Sequence, residues 1–132
     1  QNLTDIHQIK KALTFELQGY WKNHYKAGGK QTELVLNLGE TSVQNILVNT
    51  FSYFFFFYGR KLNQPQFENL ALLILEEASF ESNVKTKKFP LTSFTKKSAL
   101  LSQGLIQLHD NYCSKKQCLK CGIGTAIIQS RA

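Results

Sequence analysis

The chain has 132 residues, with 16 Lys and Arg against 9 Asp and Glu, so its formal net charge is +7. Its 42% hydrophobic and 12% aromatic residues supply enough apolar material for a core, which excludes a disordered basic tail. The length fits one helical domain, residues 1–132, and the absence of Met predicts a fragment of a longer protein.

The N-terminal part predicts one short amphipathic helix followed by a loop. Thr4 is the expected N-cap, with Asp5 in the favourable first turn. The stretch 19–39 holds four glycines among aromatic residues, which predicts irregular chain anchored by rings. Thr32–Leu38 is the one candidate strand. We interpret His24 as a hydrogen-bonded structural residue, with a catalytic role in a parent protein as the alternative.

A central helix follows, starting at the capping-box pattern Thr41 to Gln44 and stopping at Gly59. It contains the aromatic run Phe51–Tyr58. The apolar stretch from residue 43 to residue 58 includes three polar amides and is shorter than the roughly 20 apolar residues of a membrane span. A helix with rings on every side is typical of a core helix surrounded by other helices. We therefore expect no membrane association.

Two further helices are predicted beyond a turn at residues 63–64. Pro65 is expected as the first residue of a buried helix that ends near Ala78, and residues 81–95 form a basic loop. Thr95 is the expected cap of a helix that runs to Cys113. The predicted fold class is mainly α, a compact bundle of about four to five helices with a Cys-containing C-terminal turn and a possible minor strand.

Positive charge is concentrated in the C-terminal part of the chain. Residues 1–81 carry a net charge of −1, and residues 82–132 carry +8. Such asymmetry suits an anionic partner such as nucleic acid, because Lys and Arg neutralise phosphates without reading sequence. A solubilising surface is the alternative. The candidate nucleic-acid-binding residues are Lys85, Lys87, Lys88, Lys115, Lys116 and Lys120.

Four potential metal ligands lie in the same region. His109 and Cys113 are four residues apart on one predicted helix face, and Cys118 and Cys121 have the spacing used in zinc and iron–sulfur sites. Zinc is the candidate cofactor of these four residues. The alternative is that the three cysteines are reduced and pack as small hydrophobes. Their clustering is unlike a secreted disulfide framework, so we expect a cytoplasmic protein.

The approach to these cysteines resembles the iron–sulfur loop of the endonuclease III class of DNA glycosylases. That class has six residues between its first two cysteines, where this chain has four, and a fourth cysteine that this chain lacks. The catalytic residues of the class have no counterpart here. Glycosylase activity is therefore not expected.

A broader set of motifs runs along most of the chain: Trp21-Lys-Asn-His-Tyr25, Leu38-Gly39, Asn49-Thr50 with the aromatic run to Tyr58-Gly59, Glu81-Ser-Asn83, Ser102-Gln103 and the segment Tyr112–Gly124. In order and spacing, this set resembles the C-terminal part of the domain-of-unknown-function family numbered 2851, a bacterial family. The resemblance implies an N-terminal portion of the full-length protein with a pattern suggestive of a metal-dependent nuclease.

Two functional hypotheses follow from these features. The first is a non-catalytic helical module that helps a nuclease-like partner domain, the N-terminal domain of the same full-length protein, engage nucleic acid. The second is a structural or oligomerisation domain with a Cys-stabilised C-terminus. No residue is assigned a catalytic role, because paired carboxylates, a nucleophile elbow and a phosphate loop are all missing from the sequence.

Overall fold

The structure is a computed structural model that describes residues 5–33, 38–90 and 95–130. Within these ranges the chain is helical, and the only strand-like pairing is an isolated antiparallel bridge between Ser79 and Ser98. The mainly α fold class is thus confirmed. The candidate strand Thr32–Leu38 falls largely on residues 34–37, which lie outside the described residues.

Two π-helical turns continue the α-helical segments. One, Leu47–Phe51, joins α2 (Glu40–Ile46) to α3 (Ser52–Leu62) without a break, and the second, His109–Cys113, extends α5 (Ala99–Leu108). Counted as continuous helices, the described residues form five, as predicted. The segments are α1 (Ile6–Leu13), α2 (Glu40–Ile46), α3 (Ser52–Leu62), α4 (Pro65–Glu77), α5 (Ala99–Leu108) and α6 (Gly122–Gln129).

Two compact units can be distinguished along the chain, residues 1–78 and residues 79–132. The first has seven Lys and Arg against seven Asp and Glu, and the second has nine against two. The whole net charge of +7 therefore lies in the second unit. The assignment of the chain to one domain stays a prediction.

The core of the first unit forms where α1, α2 and its π turn pack with the antiparallel pair α3 and α4. Ile9 and Leu47 are 1% exposed and Ile74 is completely buried. Burying each of these side chains contributes about 1.5–3 kcal/mol. Phe55 joins the core by stacking on Phe67, with ring centroids 5.8 Å apart.

Three predicted helix boundaries are wrong, and in each case backbone geometry explains why. Asp5, rather than Thr4, caps α1: its backbone is extended and its carboxylate accepts the His7 N–H at 2.9 Å. α2 begins at Glu40, with Gly39 as N-cap, so Thr41 lies inside the helix. α5 begins at Ala99 because Ser98, held extended beside Ser79, is its N-cap instead of Thr95.

The end of α3 also differs from the prediction. Gly59 does not stop the helix, which continues to Leu62 and ends at Asn63 in the left-handed conformation, φ 53°. Gly59 instead lets α3 and α4 approach closely, since a Cβ there would lie 2.9 Å from the Gln64 carbonyl oxygen and the Glu68 nitrogen. The first turn of α4 at Pro65 is as predicted.

The aromatic run is not surrounded by other helices in this structure. Phe55 is buried, and Phe51 and Phe56 are half-buried against the core. The opposite face of α3 leaves four rings exposed by 39–64% of their surface: Tyr53, Phe54, Phe57 and Tyr58. The expectation of an all-round buried helix is therefore wrong, because packing in this unit covers only one side of α3.

The second unit is built around α5, which packs against the 3₁₀ turn Thr86–Lys88. After the π turn His109–Cys113, a further 3₁₀ turn, Cys118–Lys120, leads into α6. A helix with the length and apolar character needed to cross a bilayer is not found anywhere in the described ranges.

Candidate functional site

A network of hydrogen bonds fixes the basic loop of the second unit onto α5. The Glu81 backbone N–H donates to the Ser102 hydroxyl at 3.1 Å, and Gln103 Nε2 donates to the Glu81 carboxylate at 3.2 Å. Ser102 itself is completely buried and donates to the Ala99 carbonyl at 3.0 Å. These bonds therefore hold the start of the basic loop in a fixed position against α5.

Asn83 and Thr86 then fold the loop into a tight turn. The Asn83 side-chain oxygen accepts the N–H groups of Lys85 and Thr86 at 2.9 and 3.0 Å. Thr86 is 0% exposed, and its hydroxyl accepts the Asn83 N–H at 2.9 Å. An Asn side chain that closes a turn on following N–H groups is a recurrent local motif. It presents Lys85, Lys87 and Lys88 on one short turn.

Two of these lysines contact the first residues of the π turn. Lys85 Nζ pairs with one carboxylate oxygen of Asp110 at 2.5 Å, and the other oxygen accepts a hydrogen bond from His109 Nδ1 at 2.9 Å. Lys88 Nζ donates to His109 Nε2 at 3.0 Å. The hydrogen bond from His109, followed by that from Lys85, holds the pKa of the Asp110 carboxyl below its usual value.

Three other predicted lysines lie in the segment that we call the cysteine turn, residues 113–121. The Ser114 N–H donates to the His109 carbonyl at 2.8 Å and the Gln117 N–H to the Tyr112 carbonyl at 2.9 Å, which folds the turn back on the π turn. Lys116 takes the left-handed conformation, with φ 53°. All three side chains are exposed: Lys115, Lys116 and Lys120.

The two lysine groups flank the same helical turn. Lys85 and Lys88 contact its first two residues, and Lys115 lies two residues beyond its end. Among described residues, ion pairs to Asp or Glu involve only Lys85 and His109, both through Asp110.

The structure does not arrange the predicted metal ligands as a coordination sphere. His109 uses one ring nitrogen toward Asp110 and the other toward Lys88, so the lone pair that a metal needs is engaged. In the described parts of the chain, no three or more His, Cys, Asp or Glu side chains are grouped as a metal site. Zinc bound by His109, Cys113, Cys118 and Cys121 stays a prediction.

The three cysteines line an apolar cavity of about 430 Å³ in the second unit. All three are free thiols, Cys121 buried and Cys113 and Cys118 exposed. The other walls come mainly from apolar side chains of α5 and α6, including Leu105, Leu108, Ile123 and Ile127. Of the three, only the buried Cys121 is packed as a small hydrophobe would be.

Two features were not predicted from the sequence. The first is the hydrogen-bond network that positions the lysines; its members Glu81, Asn83, Ser102 and Gln103 occur in the motifs quoted above, but without a structural role. The second is a set of exposed rings in the loop after α1. Tyr20, Trp21 and Tyr25 are exposed by 45%, 48% and 75%.

Comparison with known proteins gives the class of the chain. A family model described as "Protein of unknown function (DUF2851)" matches residues 1–84, more than half of the sequence. The chain therefore belongs to the DUF2851 family. The match covers the first unit and the start of the basic loop. Neither a curated protein nor a solved structure matches the chain.

Proposed function

We propose that this DUF2851 chain contributes a non-catalytic nucleic-acid-binding module, in which residues 79–132 bind phosphates through lysines. The observation that carries the proposal is charge: the whole net charge of +7 lies in this unit, and Lys85 is its one described lysine in an ion pair with an acidic side chain. Phosphate neutralisation by such lysines supplies most sequence-independent binding energy.

The proposed partner is nucleic acid handled by a nuclease-like N-terminal domain of the same full-length protein. A bacterial source and a cytoplasmic location, in which the three free thiols stay reduced, belong to the same proposal. Lysines position a protein on phosphates without specifying bases. We therefore infer binding that is nearly independent of sequence.

Charge reversal tests the proposal directly. The K115E/K116E/K120E variant removes the cysteine-turn lysines, and K10E/K11E/K61E removes three lysines of the first unit; both variants have a net charge of +1. Binding of a labelled 20-base-pair duplex, measured by fluorescence anisotropy at about 50 mM salt, should fall at least tenfold in the first variant and change much less in the second. Equal losses in both variants would show only a net-charge effect and would contradict the proposal.

A second candidate function, oligomerisation, is favoured by the exposed face of α3. Tyr53, Phe54, Phe57 and Tyr58 leave roughly 400 Å² of aromatic surface uncovered, taking about 200 Å² for each ring. The largest apolar patch on a typical monomer has about this size, roughly 300–600 Å², and is often functional. No charged residue lies among residues 51–58 to oppose contact between two copies.

Sedimentation velocity distinguishes this candidate from a monomeric binding module. A dimer that dissociates in the F54S/F57S variant, while Y20S/Y25S stays dimeric, would support oligomerisation through α3. A monomer over the range 1–100 μM would exclude it.

A further inference from the structure

The loop after α1 exposes aromatic rings between lysines, an arrangement that neither functional candidate uses. Trp21 and Tyr25 are exposed by 48% and 75%, although burying such rings is strongly favourable. Lysines alternate with them along the loop, and residues 19–32 contain no acidic residue. The exposed lysines are Lys22, Lys26 and Lys30.

The rings are held in place by local contacts. The Tyr20 ring stacks on His24 with centroids 3.9 Å apart, and its hydroxyl donates to the Lys26 carbonyl at 3.2 Å. The His24 Nδ1–H donates to the Tyr20 carbonyl at 2.8 Å. His24 thus has the structural role expected of it. The contacts of His24 fix the Tyr20 ring, which lies next to Trp21.

Backbone hydrogen bonds close the loop beyond His24. The Thr32 N–H donates to the Asn23 carbonyl at 2.8 Å, and the Gly29 N–H donates to the Lys26 carbonyl at 3.1 Å. Gly28, at φ 67°, makes the turn between them. Lys26 and Lys30 therefore belong to the same closed loop as the rings of Trp21 and Tyr25.

The faces of two rings remain available for stacking. Trp21 meets Tyr20 edge to face, with an interplanar angle of 89°, and no described aromatic ring stacks parallel to it. Tyr25 has no ring contact among the described residues and is the most exposed of the loop's rings. Bases in duplex are already stacked on one another, so free ring faces suit unpaired bases.

We propose that residues 19–32 form a stacking platform for single-stranded nucleic acid. Trp21 and Tyr25 stack on unpaired bases, and Lys22, Lys26 and Lys30 contact the adjoining phosphates. Such platforms combine exposed rings with basic residues and tolerate any base. The inference rests on the proposed function, which assigns nucleic acid to this chain. It adds that the first unit selects single-stranded nucleic acid.

Tryptophan fluorescence tests the platform, because Trp21 is the one Trp of the chain. Titration with a 12-nucleotide oligo(dT) should quench the emission by about half or more, while inorganic polyphosphate, which has no bases, should leave it nearly unchanged. Anisotropy of labelled oligo(dT) should show binding weakened 5- to 150-fold in Y25A, the range for loss of one stacked base. Phe15, which is 58% exposed and lies outside residues 19–32, supplies the control, F15A, which should bind like the wild type.

The outcomes separate the platform from the phosphate-binding proposal. Oligo(dT) binding without Trp21 quenching, and with Y25A equal to wild type, would overturn the platform while leaving phosphate binding by residues 79–132 intact. Absence of binding to both oligo(dT) and duplex would overturn both proposals. Quenching by oligo(dT) that persists at saturation in K115E/K116E/K120E would place the stacking site in the first unit, as proposed.

Discussion

Ser102 illustrates how one buried hydroxyl can position a distant charged loop. It accepts the Glu81 N–H at the start of the basic loop. The S102A variant leaves that N–H without its partner, which costs about 1–3 kcal/mol when the group stays buried. We predict this loss in the free energy of unfolding, measured by urea denaturation. In S114A, which removes an exposed hydroxyl that donates to the Asp110 carbonyl, the loss should be under about 0.5 kcal/mol.

The contacts of Asp110 predict that the protein loses stability as the pH falls. A histidine that gains a partner on folding would instead lose its contribution as the pH rises. Hydrogen bonds from His109 and Lys85 lower the pKa of its carboxyl in the folded state. A lowered pKa stabilises the fold above the unfolded value, near 3.9, and this contribution is lost as the pH falls through the folded value.

The D110N variant measures that contribution. The difference in unfolding free energy between wild type and D110N should shrink as the pH falls below about 4, where the Asp110 carboxylate becomes protonated. Because both Lys85 and Asp110 are 43% exposed, the difference should be small and should decrease with salt. A difference that does not shrink below about pH 4 would contradict the assigned contacts.

The cysteine thiols predict a distinct pattern of chemical reactivity. Cys113 and Cys118 are exposed and Cys121 is buried, so a thiol reagent such as DTNB should label two groups quickly and one slowly. A chelator should not change these rates. Protection of all three thiols that a chelator relieves, together with about one zinc per chain, would instead establish the metal site of His109 and the three cysteines.

At the scale of the helices, two glycines allow the effect of close packing on stability to be measured separately from the effect of helix propensity. A Cβ at Gly124 would lie 2.5 Å from the Cys118 carbonyl oxygen, whereas a Cβ at Gly104 would meet nothing within 4 Å. We predict that G124A lowers the unfolding free energy by about 1–3 kcal/mol, because α6 must move from the cysteine turn. G104A, in an exposed position of α5, should raise it by about 0.5–1 kcal/mol. Similar effects of the two changes in urea unfolding would be inconsistent with this packing.

The helices could be predicted from the sequence, but several of their ends could not. Periodic apolar residues identified α3, α4 and α5, since burial of one face stabilises a helix whatever caps it. Capping residues were misassigned by one to three positions at Thr4, Thr41 and Thr95. Neighbouring polar residues could cap equally well on sequence grounds, and the choice was made by tertiary features such as the bridge at Ser98.

Exposure of aromatic rings could not be deduced from their number. Residues 51–58 contain seven Phe or Tyr, which lie on both sides of the helix, but the described residues supply packing partners for one side only. In the loop after α1, glycine and ring content indicated irregular chain correctly. The local bonds that expose Trp21 involve backbone carbonyls, for which the sequence carries no direct signal.

At the scale of the whole molecule, charge and family membership divide the chain differently. The family match at residues 1–84 covers the electrically neutral first unit, whereas the excess positive charge lies in residues 79–132. Charge asymmetry was visible in the sequence because it depends only on counting. Its grouping around the π turn required the structure, since contacts of Lys85 and Lys88 with His109 and Asp110 span more than twenty residues.

The salt dependence of duplex binding is the most direct measurement of the central claim that lysines of residues 79–132 bind phosphates. The logarithm of the observed binding constant should fall linearly with the logarithm of salt concentration between 50 and 200 mM. In K115E/K116E/K120E the slope should decrease in magnitude by about 2 to 3, and in K10E/K11E/K61E it should remain within error of the wild type. Equal slopes in all three proteins, or a wild-type slope near zero, would contradict the claim.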